Sequence, residues 1–503
     1  MTLEAWDTVR SVWSLFVTLA VPAWGVSICG SRQFTKTFPR ESWWTRLVFF
    51  SWTGVVIALW WFLPAVFLSL FWVTIGILFL FFCLVVRWRI KSHGSPPGRL
   101  SILDGVRALA RRDYYLHNFE RHGAVFKMSQ YGQPTICVLG LDRIEKLIKG
   151  HSEFLGPSTL PISKSVEGRF LRYMPSEAHQ LYGRIFRRAM SGPFVSTQTR
   201  QIDRICEKHL QSLEGHESSP YPALQTIARH SLNYLLLGFD PETVDGKRFD
   251  ELARGFAKAG IGWSLVRRDR QALDEMRRIL ATKFETDVSR LAGADKTTEE
   301  TSVLVRLRQQ DSAMPDGVCL DNLIVMHRIA SGNVSSLLAW LLYRWATEPS
   351  IVAEIAAEQS ETRESILRFF LNETLRTSQS EYLYRRVVRE FEFEGHRYPR
   401  GWLMRGCVWE SHHTTDSIDE PTQFRLRRGS SDYDRRQFSP LGMGAHACNG
   451  GDVNELICLA FLKQLFRTSD IRVNHAEPLQ RQMRHWSHWQ PNHEMLVRYE
   501  RVA

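Results

Sequence analysis

The pattern of charged and uncharged positions divides this chain of 503 residues into two parts. Near the amino terminus, residues 11–29 and 47–86 form two runs without a charged side chain, and the second is dense in Leu, Phe, Val and Trp. A helix needs about 20 apolar residues to cross a bilayer, so the first run predicts one membrane span. The second run is long enough for two spans with Pro64 near the turn, or for one tilted or kinked helix.

Basic residues around the two runs favour three spans. Four of them lie between the runs and three follow the second run: Arg32, Lys36, Arg40 and Arg46, and then Arg87, Arg89 and Lys91. Cytoplasmic loops carry an excess of Lys and Arg, and both basic segments are cytoplasmic only if the second run crosses twice. We therefore expect a transmembrane region over residues 1–91, with spans at 11–29, 47–63 and 65–86. The amino terminus is then outside, and the rest of the chain is cytoplasmic.

The remainder of the chain has the pattern of one large domain. A Pro- and Gly-rich hinge at residues 92–100 precedes a body of residues 101–503. Within this body, residues 124–139 alternate around a Gly-Gln-Pro turn, which predicts a hairpin. The apolar spacing from 142 to 380 is mostly helical, and short strands are predicted from residue 388 and again in the last thirty residues. The expected fold class is mostly α with small β-sheets.

Composition narrows the compartment and the partners. The eight cysteines are scattered without a C-x-x-C pair, which is typical of a reducing compartment where thiols stay free. The formal net charge is +11, but no compact Lys/Arg run with interleaved aromatic residues is present, so a nucleic acid partner is not expected. An acidic protein partner or a membrane surface explains the basic charge better.

The strongest candidate for chemistry is Cys448, which lies two residues after His446 in a glycine-rich loop. Three glycines punctuate the loop: Gly442, Gly444 and Gly450. A thiolate can be the protein ligand of a haem iron, and glycines let the backbone approach a flat macrocycle and point N–H groups at the sulfur. His446 is placed to bond a haem propionate. A buried cysteine after a tight turn is the alternative interpretation.

These residues resemble the haem loop F-G-x-G-x-[R/H]-x-C-x-G of the cytochrome P-450 family, with Leu441 where the family has an aromatic residue. A second motif, Asn-Glu373-Thr-Leu-Arg376, resembles the buried Glu-x-x-Arg pair of that family, because residues three apart share one helix face. Arg428 matches the arginine of the family's P-x-x-F-x-x-x-R segment. The three motifs occur in the family's order, and the resemblance covers about residues 101–503.

The resemblance implies haem b as cofactor, with its iron bound by Cys448, and further residues that hold it. Arg385 stands where the family has a propionate-binding arginine on a strand, and its neighbour Arg386 is an alternative. A basic helical stretch carries His179 and Arg184, for which the resemblance implies a propionate contact and part of a reductase-docking face. A solvated basic surface is the alternative interpretation of this stretch.

Residues 323–345 form a long apolar helical pattern that contains Ala-Ser-Gly-Asn-Val-Ser-Ser. The family's central helix carries A-G-x-[D/E]-T-[T/S] over the haem. In one register Ser335 takes the Thr position and Val334 the acid position; in the other Val334 takes the Thr position and Asn333 the acid position. A hydroxyl at Ser335 can hold the water that delivers protons during dioxygen activation. Helix packing by small residues is the alternative.

The resemblance implies a membrane-bound haem-thiolate monooxygenase that inserts one oxygen atom from O2 into a lipophilic small molecule, in secondary-metabolite or lipid biosynthesis. Cys448 is the expected axial ligand, and Ser335 is the expected group for proton delivery. Electrons are expected from a separate reductase, either a flavoprotein or a ferredoxin-type protein, and the membrane is the endoplasmic reticulum if the cell is eukaryotic. The central helix lacks the carboxylate of the family motif, which leaves open an isomerase or dehydratase that needs no reductase. A non-catalytic haem-binding protein is the third interpretation.

Overall fold

The computed structural model describes these parts of the chain: residues 73–80, 94–130, 133–157, 170–174, 176–257, 267–293, 302–310, 314–379, 382–429, 438–481 and 489–501. The predicted spans at 11–29 and 47–63, and all of the span at 65–86 except residues 73–80, lie outside the described residues. Within the described part, no helix has both the length and the apolar character that crossing a bilayer requires. The chain divides into two compact units, residues 1–94 and 95–503.

Helices dominate the described part of the second unit, as the apolar spacing predicted. In chain order they are α1 (Ile102–Ala110), α2 (Tyr114–His122), α3 (Leu141–Gly150), α4 (Ser176–Ala189), α5 (Gly192–Thr197), α6 (Thr199–Gln211), α7 (Tyr221–Leu237), α8 (Val244–Ala257), α9 (Arg267–Gly293), α10 (Val303–Gln310), α11 (Asp316–Thr347), α12 (Pro349–Ala357), α13 (Ser360–Thr374), α14 (Val408–Thr414) and α15 (Gly451–Phe466). A π-helical turn, Leu375–Gln379, follows α13, so the stretch that carries Glu373 and Arg376 is α-helical only as far as Thr374.

The strands form small sheets, which confirms the second half of the predicted fold class. They are β1 (Val125–Gln130), β2 (Gln133–Val138), β3 (Leu155–Pro157), β4 (Tyr382–Val387), β5 (Phe391–Phe393), β6 (His396–Tyr398), β7 (Leu403–Cys407), β8 (Thr468–Asn474), β9 (Gln480–Arg481), β10 (Trp489–Gln490) and β11 (Leu496–Arg501). The predicted hairpin at 124–139 is the antiparallel pair β1–β2. A five-stranded sheet has the order β1-β2-β7-β4-β3, and β5–β6, β8–β11 and β9–β10 pair separately.

Helix α11 lies at the centre of the helical core. It is buried around most of its circumference, as expected of a helix that neighbours enclose on all sides. It packs against α7, α9 and α15, and the largest apolar cluster of the described residues surrounds these contacts. Asp316 in its first turn complements the helix dipole, and Pro349 opens the following helix because proline fits a first turn. The core therefore places the middle of α11 beside the elements that carry the motifs.

Candidate active site

The loop that carries Cys448 is closed by its own backbone. The Cys448 N–H donates to the carbonyl of Leu441 at 2.9 Å. The Ser439 hydroxyl donates to the carbonyl of Gly442, also at 2.9 Å. Gly442 and Gly444 have φ values of 81° and 67°, a region in which an L side chain is strained. The turn itself therefore requires glycine at both positions, and Cys448 emerges directly before α15.

Among the six cysteines in the described part of the chain, Cys448 is the one that is exposed. One side of the sulfur is open, but protein atoms surround its other sides, and this burial raises the pKa of the thiol. The backbone N–H of Gly450 and the charge of Arg187 act in the opposite direction and favour the thiolate. Helix α15 begins at Gly451, and the positive end of its dipole adds to that effect. An open thiol with donors around it is suited to bind a metal ion.

Two histidines and two arginines form a cationic cluster beside this loop: His179, His446, Arg172 and Arg385. The ring centroids of His179 and His446 lie 3.8 Å apart. Burial, and then the charges of the other three members, lower the pKa of His446 to about 3. Burial, and then the charge of Arg172, lower the pKa of Arg385 to about 10.

The charged neighbours that shift the pKa values of His446, His179 and Arg385 are all bases. The described residues therefore bring two arginine cations and two neutral imidazoles together here, and none of the groups that shift these pKa values is a carboxylate. Assembling like charges in a partly buried place is unfavourable unless an anion is bound. The cluster is suited to hold carboxylates, such as the two propionates of a haem.

The structure separates the other basic residues that the resemblance implied. Arg386 points away from the cluster and donates to the Gly401 carbonyl and to Gln133 Oε1, both at 2.9 Å. Successive residues of a strand face opposite sides, which is why Arg385 and Arg386 have different environments. Arg184 is exposed, and its Nε donates to a carbonyl one turn earlier in α4 at 3.3 Å. The structure does not bring Arg184 into the cluster.

Glu373, Arg376 and Arg428 meet in the protein interior. Arg376 donates through Nε and Nη2 to the Glu373 carboxylate at 2.8 and 2.7 Å, and both side chains are fully buried. Arg428 Nε lies 3.4 Å from Glu373 Oε1, and the Arg425 N–H donates to the same oxygen at 3.0 Å. Buried charges are tolerated when they are paired and hydrogen-bonded in this way. The buried Glu373–Arg376 pair that the resemblance implied is confirmed, and Arg428 completes a triad with it.

His412 connects this triad to the loop of Cys448. Arg376 Nη1 donates to the His412 carbonyl at 3.0 Å, and His412 Nε2 accepts from the Ser439 N–H at 3.2 Å. Burial, and then the charges of Arg376 and His413, lower the pKa of His412 to about 3. The imidazole is therefore neutral at pH 7, and Nε2 remains a hydrogen-bond acceptor. A chain of hydrogen bonds thus runs from the triad into the loop.

The middle of α11 differs from its flanks in exposure. Residues 328–333 are partly exposed, whereas residues 334–342 are buried. The Ser335 hydroxyl donates to the Gly332 carbonyl at 3.0 Å, and the Ser336 hydroxyl is buried without a hydrogen-bond partner among the described residues. The helix continues through this stretch without a break. This opening in an otherwise enclosed helix is a place where a substrate or cofactor can reach the backbone.

Arg172 is the member of the cationic cluster that the sequence did not reveal. It lies in a short 3-10 turn, Leu171–Tyr173, and no motif surrounds it. His179 belonged to a basic stretch that a solvated surface explained equally well, but its side chain is buried. The open thiol of Cys448 and the cluster beside it together fit a haem, because a thiolate can bind its iron and arginines can balance the charge of its propionates.

Comparisons with known proteins lead to the same cofactor. A sequence model of the family described as Cytochrome P450 matches residues 263–497. The chain is 24% identical over 430 residues to abscisic acid 8'-hydroxylase 1 of Arabidopsis thaliana, which covers 78% of this chain and 89% of that protein. It is 21% identical over 420 residues to abscisic acid 8'-hydroxylase 3 of Oryza sativa subsp. indica, with 75% of this chain and 83% of that protein covered.

The fold agrees with a solved structure. The retinoic acid-bound cyanobacterial CYP120A1 superposes with a TM-score of 0.67 at 17% sequence identity, covering 82% of this chain and 100% of that chain. The mostly helical architecture with small sheets is therefore a cytochrome P450 fold, and its cofactor is a haem whose iron is bound by a cysteine thiolate. In its matched segment, which includes Cys448, in its relatives and in its fold, the chain is similar to the haem-thiolate monooxygenases of the cytochrome P450 family.

Proposed function

We propose that Cys448 is the axial ligand of a haem b and that the enzyme inserts one oxygen atom of O2 into a C–H bond of a lipophilic small molecule. The observation that carries this assignment is the open Cys448 thiol, held in a loop that needs Gly442 and Gly444. The cationic cluster beside the loop supports it, because the Arg385 guanidinium can neutralise a haem propionate and the neutral His446 ring can donate a hydrogen bond to one. A thiolate ligand favours O–O cleavage by its electron donation.

Each part of the chain contributes differently to this reaction. The bound haem would supply dioxygen activation with two electrons and transfer of one oxygen atom. The Gly450 N–H and the start of α15 stabilise the thiolate of Cys448. The triad and His412 keep the loop in place through the hydrogen bond to Ser439. The Ser335 hydroxyl, next to the partly exposed stretch of α11, holds a water and passes a proton toward the reacting oxygen.

The substrate we propose is a lipophilic carboxylic acid. The two relatives compared above are named for abscisic acid, and the structural neighbour was solved with retinoic acid. Both molecules combine a largely hydrocarbon skeleton with one carboxyl group. A family active site buries most of such a ligand against apolar side chains and orients it with a few polar groups. Abscisic acid, retinoic acid and fatty acids are therefore the first compounds to test.

Electrons would come from a separate reductase, either a flavoprotein or a ferredoxin-type protein. Helix α4 contacts the loop at Gly444–His446 and exposes Arg184, Arg187 and Arg188, which offer a basic surface to an acidic partner. The uncharged runs at 11–29 and 47–86 support insertion of the amino-terminal region in a membrane, with the catalytic body in the cytoplasm. In a eukaryotic cell this membrane would be the endoplasmic reticulum.

An isomerase or dehydratase is the second candidate, and one observation favours it. Neither Asn333 nor Val334 supplies the carboxylate that the resemblance places beside the hydroxyl on α11, and Val334 is buried. An enzyme that rearranges a peroxide needs neither reductant nor proton relay. A haem protein that only binds a ligand is the remaining alternative.

Turnover with and without reductant separates these functions. The full-length, haem-loaded protein is incubated with the acids named above, with O2, and with or without a reductase and NADPH. Product that forms only with reductant supports the monooxygenase. Product that forms from a peroxide without reductant supports the isomerase or dehydratase. Tight binding of a compound without any product would overturn both and leave a binding protein.

A further inference from the structure

We propose that Gln379 is a positioning residue for proton delivery on α11, a role that rests on the proposed monooxygenase function. Its side-chain Nε2 donates to the backbone carbonyl of Asn333 at 2.7 Å. The side chain is 7% exposed, and its Oε1 is buried without a hydrogen-bond partner among the described residues. The hydrogen bond donated by Nε2 is therefore the contact that links the Gln379 side chain to α11.

The backbone that carries Gln379 is itself anchored. The indole Nε1 of Trp409 donates to the Thr377 carbonyl at 2.8 Å, and Arg112 Nη2 donates to the Ser378 carbonyl at 2.6 Å. The Arg112 guanidinium also lies 4.3 Å from the centroid of the Trp409 ring, a cation–π contact. Single π-helical turns of this kind occur frequently at functional sites. Gln379 thus reaches α11 from a rigid support.

The carbonyl that Gln379 binds is adjacent to the one that Ser335 uses. Ser335 donates to the Gly332 carbonyl, and Gln379 donates to the next carbonyl, that of Asn333. Each of these carbonyls lies in a continuous helix and also faces the N–H four residues later. A second donor tilts a carbonyl outward, as solvent does on the exposed side of a helix. Gln379 therefore sets the orientation of the peptide next to the proposed proton donor.

This orientation matters because the stretch lacks a carboxylate. The χ1 angle of serine is less restricted than that of threonine, so the orientation of a serine hydroxyl depends more on the surrounding backbone. The carbonyl that Gln379 binds belongs to the Asn333–Val334 peptide, at the end of the partly exposed stretch 328–333 of α11. By holding this peptide, Gln379 keeps the Ser335 hydroxyl and its water in the geometry that proton transfer requires.

Two substitutions of Gln379 test the donor directly. Gln379→Leu removes the hydrogen bond, and we expect about a fivefold fall in product formed per reductant oxidised, with a matching rise in released hydrogen peroxide. Gln379→Glu has a donor only while its carboxyl group is protonated, since a carboxylate accepts and would repel the Asn333 carbonyl. Its coupling should equal that of the wild type at acid pH and fall to the level of Gln379→Leu as pH rises.

The surrounding charges do not obscure this pH dependence. The guanidinium groups of Arg112 and Arg376 stay protonated from roughly pH 6 to 9, as arginine does in proteins. Burial lowers the pKa of His413 on α14 to about 3 and that of His327 on α11 to about 4, so both are neutral throughout that range. A pH-dependent change that appears in Gln379→Glu and is absent from the wild type therefore reports the introduced acid.

A control substitution at another buried glutamine separates the proposed role of Gln379 from the general effect of removing a buried amide. Gln130, on β1, is 5% exposed, and its Oε1 also has no partner among the described residues. Gln130→Leu should leave coupling unchanged at every pH. Combining Gln379→Leu with Ser335→Ala should cost no more than Ser335→Ala alone, because both act on one proton path.

A second readout does not depend on turnover. The melting temperature of haem-loaded Gln379→Glu should fall as pH rises through the pKa of the new acid, because the ionised form loses its hydrogen bond in the folded state. If Gln379→Leu does not fold, Gln379→Glu alone carries the test, since at acid pH it reproduces the native contact. Wild-type coupling in Gln379→Leu, or pH-independent coupling in Gln379→Glu, would overturn the proposal. Product formation by the wild type without reductant would instead overturn the proposed function.

Discussion

The loop around Cys448 and the middle of α11 are built in different ways, although both are expected to face the same cofactor. The loop is fixed by several contacts: backbone closure onto Leu441, two glycines with positive φ, and a hydrogen-bond chain through His412 to the triad. The corresponding part of α11 has two serines, Ser331 and Ser335, that bond carbonyls of their own helix, and one glutamine that reaches in from another element. No carboxylate stands at residues 333–334.

This difference indicates how the two tasks are encoded. Cofactor binding depends on many short-range contacts, each of which tolerates little change. Proton delivery depends on a few groups whose geometry is imposed by distant parts of the chain. Substitutions in the loop of Cys448 should therefore cause loss of haem or of the folded state. Substitutions in the middle of α11 should leave a folded, haem-loaded enzyme that releases more hydrogen peroxide and forms less product per reductant oxidised.

The largest effect is expected from Cys448→Ser. A hydroxyl is a poor ligand for ferrous iron, whereas a thiolate donates strongly, so the variant should lose the haem-thiolate state. The reduced carbon-monoxide complex of the wild type should show the red-shifted Soret band that the family resemblance implies, and the variant should not. Cys458→Ala, at a buried cysteine on α15, should keep the band. Retention of the band by Cys448→Ser would remove Cys448 from the ligand role.

The triad should show the next largest effect. Glu373→Ala leaves the charges of two buried arginines uncompensated, which typically costs about 3–5 kcal/mol in the free energy of unfolding. Chemical denaturation together with haem content measures this loss. Arg368, which pairs with Glu455 at the surface, is the control, and Arg368→Ala should cost about 0–1 kcal/mol. A Glu373→Ala protein as stable as the control would mean that the triad does not support the loop.

Ser335→Ala tests the second region. Loss of one proton-transfer group typically lowers the rate by about 10²–10⁴, and a smaller fall of about tenfold to a hundredfold is expected here if a water bound by Ser336 partly substitutes. Haem content and the carbon-monoxide spectrum should not change. Product per reductant oxidised and hydrogen peroxide release are the measurements. Unchanged coupling would favour the register that puts Val334 in the Thr position.

The smallest effect concerns His412. Its folded-state pKa of about 3 lies below the ordinary value of about 6.5, so the unfolded chain binds a proton that the folded protein does not. Stability from this group is therefore complete above about pH 6.5 and decreases as pH falls toward 3, by about 1.4 kcal/mol per pH unit. His412→Gln keeps an acceptor for the Ser439 N–H but cannot titrate. Its unfolding free energy should depend less on pH between 7.5 and 5.5 than that of the wild type, and an equal dependence would contradict the assignment.

The sequence predicted those parts of the site whose residues lie close together in the chain. The loop of Cys448 and the Glu373–Arg376 pair are local motifs, and the hairpin β1–β2 follows from alternation around a turn. Arg172 and Gln379 have no local signal, because each acts on a residue that is far away in the chain. Which hydroxyl or carbonyl of α11 such residues reach is decided by tertiary packing, and the register of Ser335 and Val334 was open for that reason.

The origin of the inserted oxygen tests the account most directly. The full-length enzyme is supplied with reductant, its reductase and the acid that turns over best, under ¹⁸O2 in ordinary water. One labelled oxygen atom in each product molecule, with no product when reductant is omitted, is the predicted result. Product that forms without the label, or with oxygen drawn from water or from a peroxide, would contradict the monooxygenase reaction.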